Sequence, residues 1–199
     1  MARKRGLTPD DVVAAARELA DADGLEAVTL AAVAERLSVR SPSLYSHVDG
    51  LDGLRRRLAF EAAEALRLAF VAAAADRTGL EALEALAHAY RAFARDHPGL
   101  YAAAQRAVEP DEDPELYAAL GAVLEPVLGA LLEAGVPEGE LIHVTRAFRS
   151  ALHGFMELEL KGGFGIPESV EESFRHLVGL VLSGIEGLAA GGEAPAAQD

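Results

Sequence analysis

The fold is decided by one stretch, TLAAVAERLSVRSPSLYSHVDGLDGL (residues 29–54), which predicts two short helices joined by a tight turn. Thr29 stands where a helix N-cap belongs, because its hydroxyl can accept a hydrogen bond from the first turn. The first helix then carries apolar residues at helical spacing, namely Leu30, Val33, Ala34 and Leu37.

The second half of the stretch predicts a new helix with a polar outer surface. Ser41 and Pro42 are expected to be its N-cap and first helical residue, where the missing N–H of proline costs little. Leu44 and Val48 would be buried. The remaining side chains would stay outside: Arg40, Ser41, Ser43, Tyr45, Ser46 and His47.

A short helix, a tight turn and an exposed polar second helix are the parts of a helix-turn-helix. In that motif the second helix enters the major groove of DNA. Pairs of short helices are common in small α-helical proteins, so the periodicity by itself leaves DNA binding and a plain helical fold both open.

The run LSVRSPSLYSHVDGLDGL (residues 37–54) resembles the DNA-binding domain of the tetracycline-repressor (TetR) family. The matching positions are Leu37, Val39, Leu44, Tyr45, His47 and Val48. With the preceding helix, the resemblance covers about the first 55 residues. It implies a ligand-responsive transcriptional regulator, a repressor that binds a palindromic operator as a homodimer.

Two residues depart from the pattern of that family. Ser38 stands where a glycine is usual, at a turn position that favours positive φ, and a serine there would cost about 1 kcal/mol. Leu51 stands where many members carry a phosphate-binding lysine. One of the following arginines, Arg55, Arg56 or Arg57, is a candidate replacement for it.

The resemblance also distributes the DNA contacts. Arg40, Ser41, Ser43 and Ser46 would face base edges, while Thr29, Tyr45 and His47 would hold phosphates. The basic arm with Arg3, Lys4 and Arg5 would lie against phosphates or in a minor groove. The alternative for this arm is an ordinary solvated terminus.

Composition predicts an all-α protein of about nine helices. The chain has 199 residues, of which 51% are hydrophobic, and no cysteine, which excludes disulfides and thiolate chemistry. We expect a three-helix DNA-binding head at 1–50, an effector-binding and dimerisation domain at 51–190, and a disordered tail at 191–199. The segment MARKRG lacks a following apolar region, and no apolar stretch reaches the roughly 18–20 residues of a membrane span, so a soluble, cytoplasmic protein is predicted.

The net charge of −14 is unevenly distributed. Residues 1–58 carry nine basic and nine acidic side chains, whereas residues 59–199 carry nine and 23. The negative charge therefore belongs to the predicted body, and the chain-wide value does not argue against a nucleic-acid partner for the head.

Residues that cap or break helices predict the bounds of the remaining helices. Thr8 and Pro9 begin the first helix and Gly24 ends it; a long helix runs from Leu51 or Asp52 to about Asp76. Residues 115–134 are expected to form one helix bent near Pro126.

The last two predicted helices, 138–160 and the one after Ser169, carry wide apolar surface, which favours a two-fold dimer. The candidate interface residues are Phe155, Phe174, Leu177, Val178, Val181, Leu182 and Ile185. The region from RSALHGF onward also resembles a TetR regulatory domain of the Trp-His-Gly type. His153 and Gly154 match that pattern, and Arg149 stands at the tryptophan position.

An apolar effector site with few polar anchors is predicted among these helices, where the family places its effector pocket. Its candidate lining residues are Leu66, Tyr90, Phe93, Tyr101, Phe148 and Arg149. The alternative is an ordinary core with buried aromatic residues.

Other chemistry has weaker support in the sequence. His153 and Glu157 are four residues apart on one predicted helix, with His143 one further candidate, but the pattern lacks a second close pair of metal ligands. None of the common nucleophile, metalloprotease or nucleotide-binding motifs is present, so neither an enzyme nor a cofactor or metal is predicted. A non-DNA interaction module and an unfamiliar helical enzyme remain the alternatives.

Overall fold

A computed structural model describes residues 6–191 of the chain, and these form α-helices and short 3₁₀ segments without a strand. The helices are α1 Pro9–Asp23, α2 Leu30–Arg36, α3 Gly50–Ala74, α4 Gly79–Asp96, α5 Pro98–Ala103, α6 Pro114–Ala122, α7 Glu125–Glu133, α8 Leu141–Leu160 and α9 Val170–Gly191. The 3₁₀ segments are Leu25–Ala27, Ser41–Ser46 and Glu138–Glu140. The prediction of an all-α fold with about nine helices is confirmed. The predicted arm with Arg3, Lys4 and Arg5, and the tail after residue 191, lie outside the described residues.

The first helix begins and ends where local chemistry requires. The Thr8 hydroxyl accepts a hydrogen bond from Asp11 N at 3.2 Å, while Thr8 N donates to Asp11 Oδ2 at 2.9 Å. These reciprocal bonds form a capping box, with Pro9 in the first turn. Gly24 ends the helix at a φ of 88°, which is accessible mainly to glycine.

The expected single helix over residues 115–134 was wrong, because the structure has two helices, α6 and α7, separated at Val123 and Leu124. Pro126 has no N–H to donate to Ala122, the last residue of α6, so the intrahelical ladder is interrupted at that point.

This helix pair also bears on the membrane prediction. By length and composition alone, Pro114–Glu133 is apolar enough to be a candidate span, although Glu115, Glu125 and Glu133 interrupt its apolar residues. The interruption leaves two helices of nine residues each, whereas a membrane-spanning helix needs about 20. The segment is therefore weak evidence for a membrane span.

The chain divides into two compact units. The first consists of residues up to Ala65 together with Asp96–Ala122, and the second of Leu66–Arg95 together with the residues from Val123 onward. The predicted functional boundary at residue 50 remains a prediction. The compact unit that contains the head is larger, because it includes the first part of α3 and the helices α5 and α6.

Close packing explains why α5 belongs to the first unit. A Cβ atom added to Gly99 at the start of α5 would lie 2.4 Å from the Cβ and carbonyl carbon of Ala20 in α1, so only glycine fits. Gly99 N also donates a hydrogen bond to Asp21 Oδ1 at 2.8 Å. Around this contact, the core of the unit is built from Val12, Val28, Val33, Leu44, Leu54 and Leu58.

The second unit has a core of large side chains and one buried arginine. The fully buried residues include Leu83, Leu86, Leu131, Leu152, Met156 and Phe174. Arg91 of α4 is only 5% exposed. A buried guanidinium must be paired with carboxylates to be tolerated, and in this unit α8 and α9 supply them.

Candidate nucleic-acid interface and effector site

The turn after α2 has the geometry that the sequence predicted. Ser38 adopts a φ of 54°, in the left-handed region that a glycine would occupy without strain. Ser38 N donates to Glu35 O at 2.9 Å and Val39 N donates to Ala34 O at 2.9 Å. These bonds close the C-terminus of the helix and fix the direction in which the chain leaves it.

The recognition segment, residues 41–46, differs from the prediction in two respects. It is a 3₁₀ helix rather than an α-helix, and its N-cap is Arg40, so the assignment of the cap to Ser41 was wrong. A 3₁₀ helix suits so short a segment, and Ser46 Oγ donates to Ser43 O at 2.9 Å, which supports this tight winding locally.

The recognition segment presents most of the predicted contact residues to solvent. Leu44 and Val48 are buried beneath it, and Tyr45 is 64% exposed. The other predicted contacts are either exposed, as for Arg40, Ser43 and Ser46, or half-buried, as for Ser41 and His47. This surface has the donors and acceptors needed to contact base edges and phosphates.

Thr29 has a structural role beside its predicted phosphate contact. Its Oγ1 accepts a hydrogen bond from Ala32 N at 3.1 Å and so caps α2. The residue is exposed, and a hydroxyl can accept one hydrogen bond while it donates another, so Thr29 can cap the helix and still donate to a phosphate oxygen.

An ion-pair network lies on α3 in the same unit. Arg56 Nε is 2.5 Å from Asp113 Oδ2, and Arg56 Nη2 donates to Asp113 Oδ1 at 2.8 Å and to Glu115 Oε2 at 2.9 Å. The bonds to Asp113 lower the pKa of that carboxyl and raise the pKa of Arg56. The guanidinium also lies 4.7 Å from the ring centroid of Phe60. Arg56, one of the three candidate phosphate contacts, is therefore bound by two carboxylates of its own chain.

The predicted effector residues do not all lie in one unit. Tyr101 belongs to the first unit, and the other five belong to the second. Leu66, Tyr90, Phe93 and Phe148 are buried, and the rings of Phe70 and Tyr90 pack edge to face with centroids 5.8 Å apart. Arg149 is exposed, because consecutive helical residues point about 100° apart and Phe148 takes the inward direction.

Thr145 is a polar residue of this region that sequence analysis missed. It is buried in α8, and its Oγ1 has no hydrogen-bond partner among the described residues. Thr145 lies one turn before Phe148 on the inward face of the helix. The burial of Thr145 could have been predicted, since Thr145, Phe148, Leu152 and Met156 have helical spacing. The same spacing does not show whether the threonine hydroxyl has a hydrogen-bond partner.

The predicted interface residues divide by burial. Phe174, Val178 and Ile185 lie in the core of the protomer, while the other predicted residues, Phe155, Leu177, Val181 and Leu182, are half-buried. The large exposed apolar side chains of the last two helices and their connection are instead Ile142, Leu158, Leu160, Phe164, Ile166, Leu180 and Leu188. The wide apolar stripe of α9 thus serves two surfaces, one inside the protomer and one outside it.

Among residues 6–191 the structure contains no group of three or more side chains that could hold a metal ion. His143 is exposed and His153 is half-buried, ten residues apart on α8.

A short helix, a left-handed turn and an exposed polar segment over a buried leucine define a DNA-binding protein of the helix-turn-helix class. Residues 12–57 match the model of the bacterial regulatory proteins of the tetR family, and residues 83–181 match that of the tetracyclin repressor-like C-terminal domain.

Similar proteins support the same assignment. The chain is 38% identical over 186 residues to an uncharacterized HTH-type transcriptional regulator, YobS, of Bacillus subtilis (strain 168). The aligned part covers 93% of this chain and 96% of that protein. It is 34% identical over 162 residues to another such regulator, Rv0681 of Mycobacterium tuberculosis (strain ATCC 25618 / H37Rv), covering 81% and 74%. The fold matches the structure of the transcriptional regulator SCO7222, a TetR from Streptomyces coelicolor, with a TM-score of 0.65 at 22% identity; the match covers 92% of this chain and 100% of that chain.

The chain therefore belongs to the TetR family, and it is a ligand-responsive, DNA-binding regulator of transcription. The narrower resemblance to the Trp-His-Gly type stays a prediction.

Proposed function

We propose that this protein is a homodimeric repressor that binds a palindromic operator and releases it when an effector binds. The observation that carries the proposal is the recognition segment, which is fixed by a left-handed turn and presents Arg40, Ser43, Tyr45 and Ser46 to solvent. In a two-fold dimer, two such segments enter successive major grooves about 34–36 Å apart.

Exposed apolar side chains support the homodimer. Leu180 of α9 is 74% exposed and Ile166 of the α8–α9 connection is 75% exposed. Several large apolar residues of this kind on adjacent elements exceed what isolated surface residues require, and a second copy of the chain would remove them from water. The sequence-predicted residues that retain surface to contribute are Phe155, Leu177, Val181 and Leu182.

The effector site is proposed within the second unit, on the buried side of α8. Phe148 supplies apolar surface there, and Thr145 supplies a hydroxyl that has no partner among the described residues. This pairing suits a mainly apolar ligand with one hydrogen-bonding group. Such an effector can shift the protein away from its DNA-binding state only by its differential affinity for the two states.

A regulator of this kind acts where the DNA is, so we place the protein in the cytoplasm. The arm with Arg3, Lys4 and Arg5 would add phosphate contacts beside the recognition segment. Catalysis has no part in this proposal.

Selection of duplexes from random DNA by the purified full-length protein tests the function. A palindromic consensus is expected, and Arg40→Ala should weaken binding to it by about 1–3 kcal/mol, with a smaller effect on mixed-sequence DNA. Unchanged binding of Arg40→Ala to the consensus would contradict the assignment of Arg40 to base contacts.

The two alternative functions predict different results. A non-DNA interaction module would dimerise but enrich no sequence. An enzyme would turn over a substrate with a dependence on His143 or His153, and its activity would not follow the salt concentration as phosphate binding does.

A further inference from the structure

Three consecutive arginines near the start of α3 have different partners. Arg55 Nη2 lies 3.6 Å from Glu26 Oε2, and Arg56 is held by Asp113 and Glu115. Arg57 is exposed and makes no ion pair with any carboxylate among residues 6–191. Two of the three cations therefore have carboxylate partners within the chain, and the third has none among the described residues.

The other arginines of residues 12–57, the part that matches the family's DNA-binding model, also divide into those with and those without an ion pair. Arg17 is paired with Glu61, and Arg36 donates to Glu18 Oε2 through Nε and Nη2 at 3.0 and 2.8 Å. Within these residues, Arg40 and Arg57 are the arginines that lack an ion pair. Arg40 lies at the start of the recognition segment, so only Arg57 is without a role.

Arg57 lies on a helical row that begins at the end of the recognition segment. Asp49, Gly53 and Arg57 are spaced four residues apart, and a Cβ built on Gly53 would lie 2.9 Å from Asp49 Cβ. Four residues rise about 6 Å along the helix. Long helical side chains lean toward the N-terminus. Because Gly53 has no side chain, Asp49 is the side chain of this row that lies between Arg57 and the recognition segment.

The charges at this end of α3 explain the need for a cation. Asp49 and Asp52 are both exposed, and both would repel a phosphate. An exposed guanidinium without an ion pair on the same helical row offsets this repulsion and offers several donors to phosphate oxygens.

We propose that Arg57 binds the DNA phosphate backbone beside the recognition segment, as a contact that positions the protein without selecting sequence. The proposal rests on the DNA-binding role described above. It also requires the neighbouring arginines, Arg55 and Arg56, to serve folding rather than DNA binding.

The slope of log Kobs against log salt concentration tests this assignment for the full-length protein. Each phosphate contact contributes about 0.9 to the slope. Arg57→Ala should therefore lower the slope by about 1.8 per dimer, with the same loss of affinity for the selected operator and for a mixed-sequence duplex of equal length. Arg57→Lys should retain most of the wild-type slope.

Arg55→Ala and Arg56→Ala are the matched controls, since each removes one positive charge from the same run. Both should retain the wild-type slope, and Arg56→Ala should lower the melting temperature because it leaves Asp113 without its partner. Arg57→Ala should melt with the wild type, since the residue is exposed and unpaired.

The assignment of Arg57 is contradicted if its alanine variant keeps the wild-type slope, or if the loss of affinity is confined to the operator. A failure to select any operator would instead contradict the proposed repressor function. The mixed-sequence duplex would still decide the role of Arg57, because phosphate contacts do not depend on base sequence.

Discussion

Arg91 in the second compact unit is in the opposite situation to Arg40 and Arg57 in the first. In the second unit, Arg91 is buried and donates to Glu159 Oε2 and Oε1 at 2.8 Å each and to Glu171 Oε2 at 2.6 Å. Its guanidinium also lies 4.5 Å from the ring centroid of Phe174. In the first unit, Arg40 and Arg57 are exposed without an ion pair among the described residues.

A buried, ion-paired arginine stabilises the fold, whereas an exposed arginine without an ion pair can bind another molecule. A buried guanidinium needs its carboxylates because water no longer solvates it, whereas an exposed one is solvated and can exchange water for phosphate. Substitution of the first kind should therefore change stability, and substitution of the second kind should change DNA affinity.

The largest expected effect is on the buried arginine. Arg91→Met should lower the free energy of unfolding by about 3 kcal/mol, because Glu159 would remain in a mostly covered position without its bidentate partner. Urea denaturation of the full-length protein measures this change. Arg175→Met, which removes an exposed pair with Glu172, should change stability by less than about 1 kcal/mol.

If Arg91→Met instead melted like the wild type, Arg91 would not be a buried structural charge, and the contrast with Arg57 would fail.

The same cluster predicts an acid-sensitive stability. The hydrogen bonds from Arg91 lower the pKa of both Glu159 and Glu171 below the ordinary glutamate value. The unfolded chain then binds protons that the folded chain does not, so this contribution to stability is present above the unfolded pKa, about 4.3, and is lost as the pH falls through the folded values.

Unfolding free energies measured between neutral pH and pH 3 should therefore fall less steeply for Glu159→Gln than for the wild type. Parallel pH profiles for the two proteins would show that this carboxyl does not contribute to the acid sensitivity.

A smaller change in stability is expected on substitution of Thr145, which is buried like Arg91 but whose hydroxyl has no hydrogen-bond partner among the described residues. Thr145→Val should raise the free energy of unfolding by about 1 kcal/mol, because it replaces an unpaired hydroxyl with a methyl group of similar size. Thr145→Ser is the control, since it keeps the hydroxyl and should not stabilise the protein. Thermal unfolding distinguishes the two, and a destabilised valine variant would mean that the hydroxyl is satisfied within the fold.

Much of the fold was predictable because it depends on local chemistry. The capping box at Thr8, the glycine that ends α1 and the positive φ at Ser38 each follow from interactions within a few residues. The helix-turn-helix was predictable for the same reason, since its apolar spacing and turn position are contained in one stretch of 26 residues, 29–54.

Predictions failed where distant residues decide the outcome. The three arginines at 55–57 look equivalent in the sequence, and only folding brings Glu26 to one and Asp113 to another. Likewise, helical periodicity placed Phe174 and Leu177 on the same apolar surface, but it could not show that the first is fully buried and the second only half-buried.

The sequence by itself therefore determined the helix class, the turn at Ser38 and the identity of the exposed recognition segment, because each is fixed by neighbours in the chain. Tertiary structure alone decided which charges are neutralised inside the protein and which remain for a partner. The physical reason is that an arginine has the same intrinsic chemistry at every position, and its role is set by whether a carboxylate from another helix reaches it.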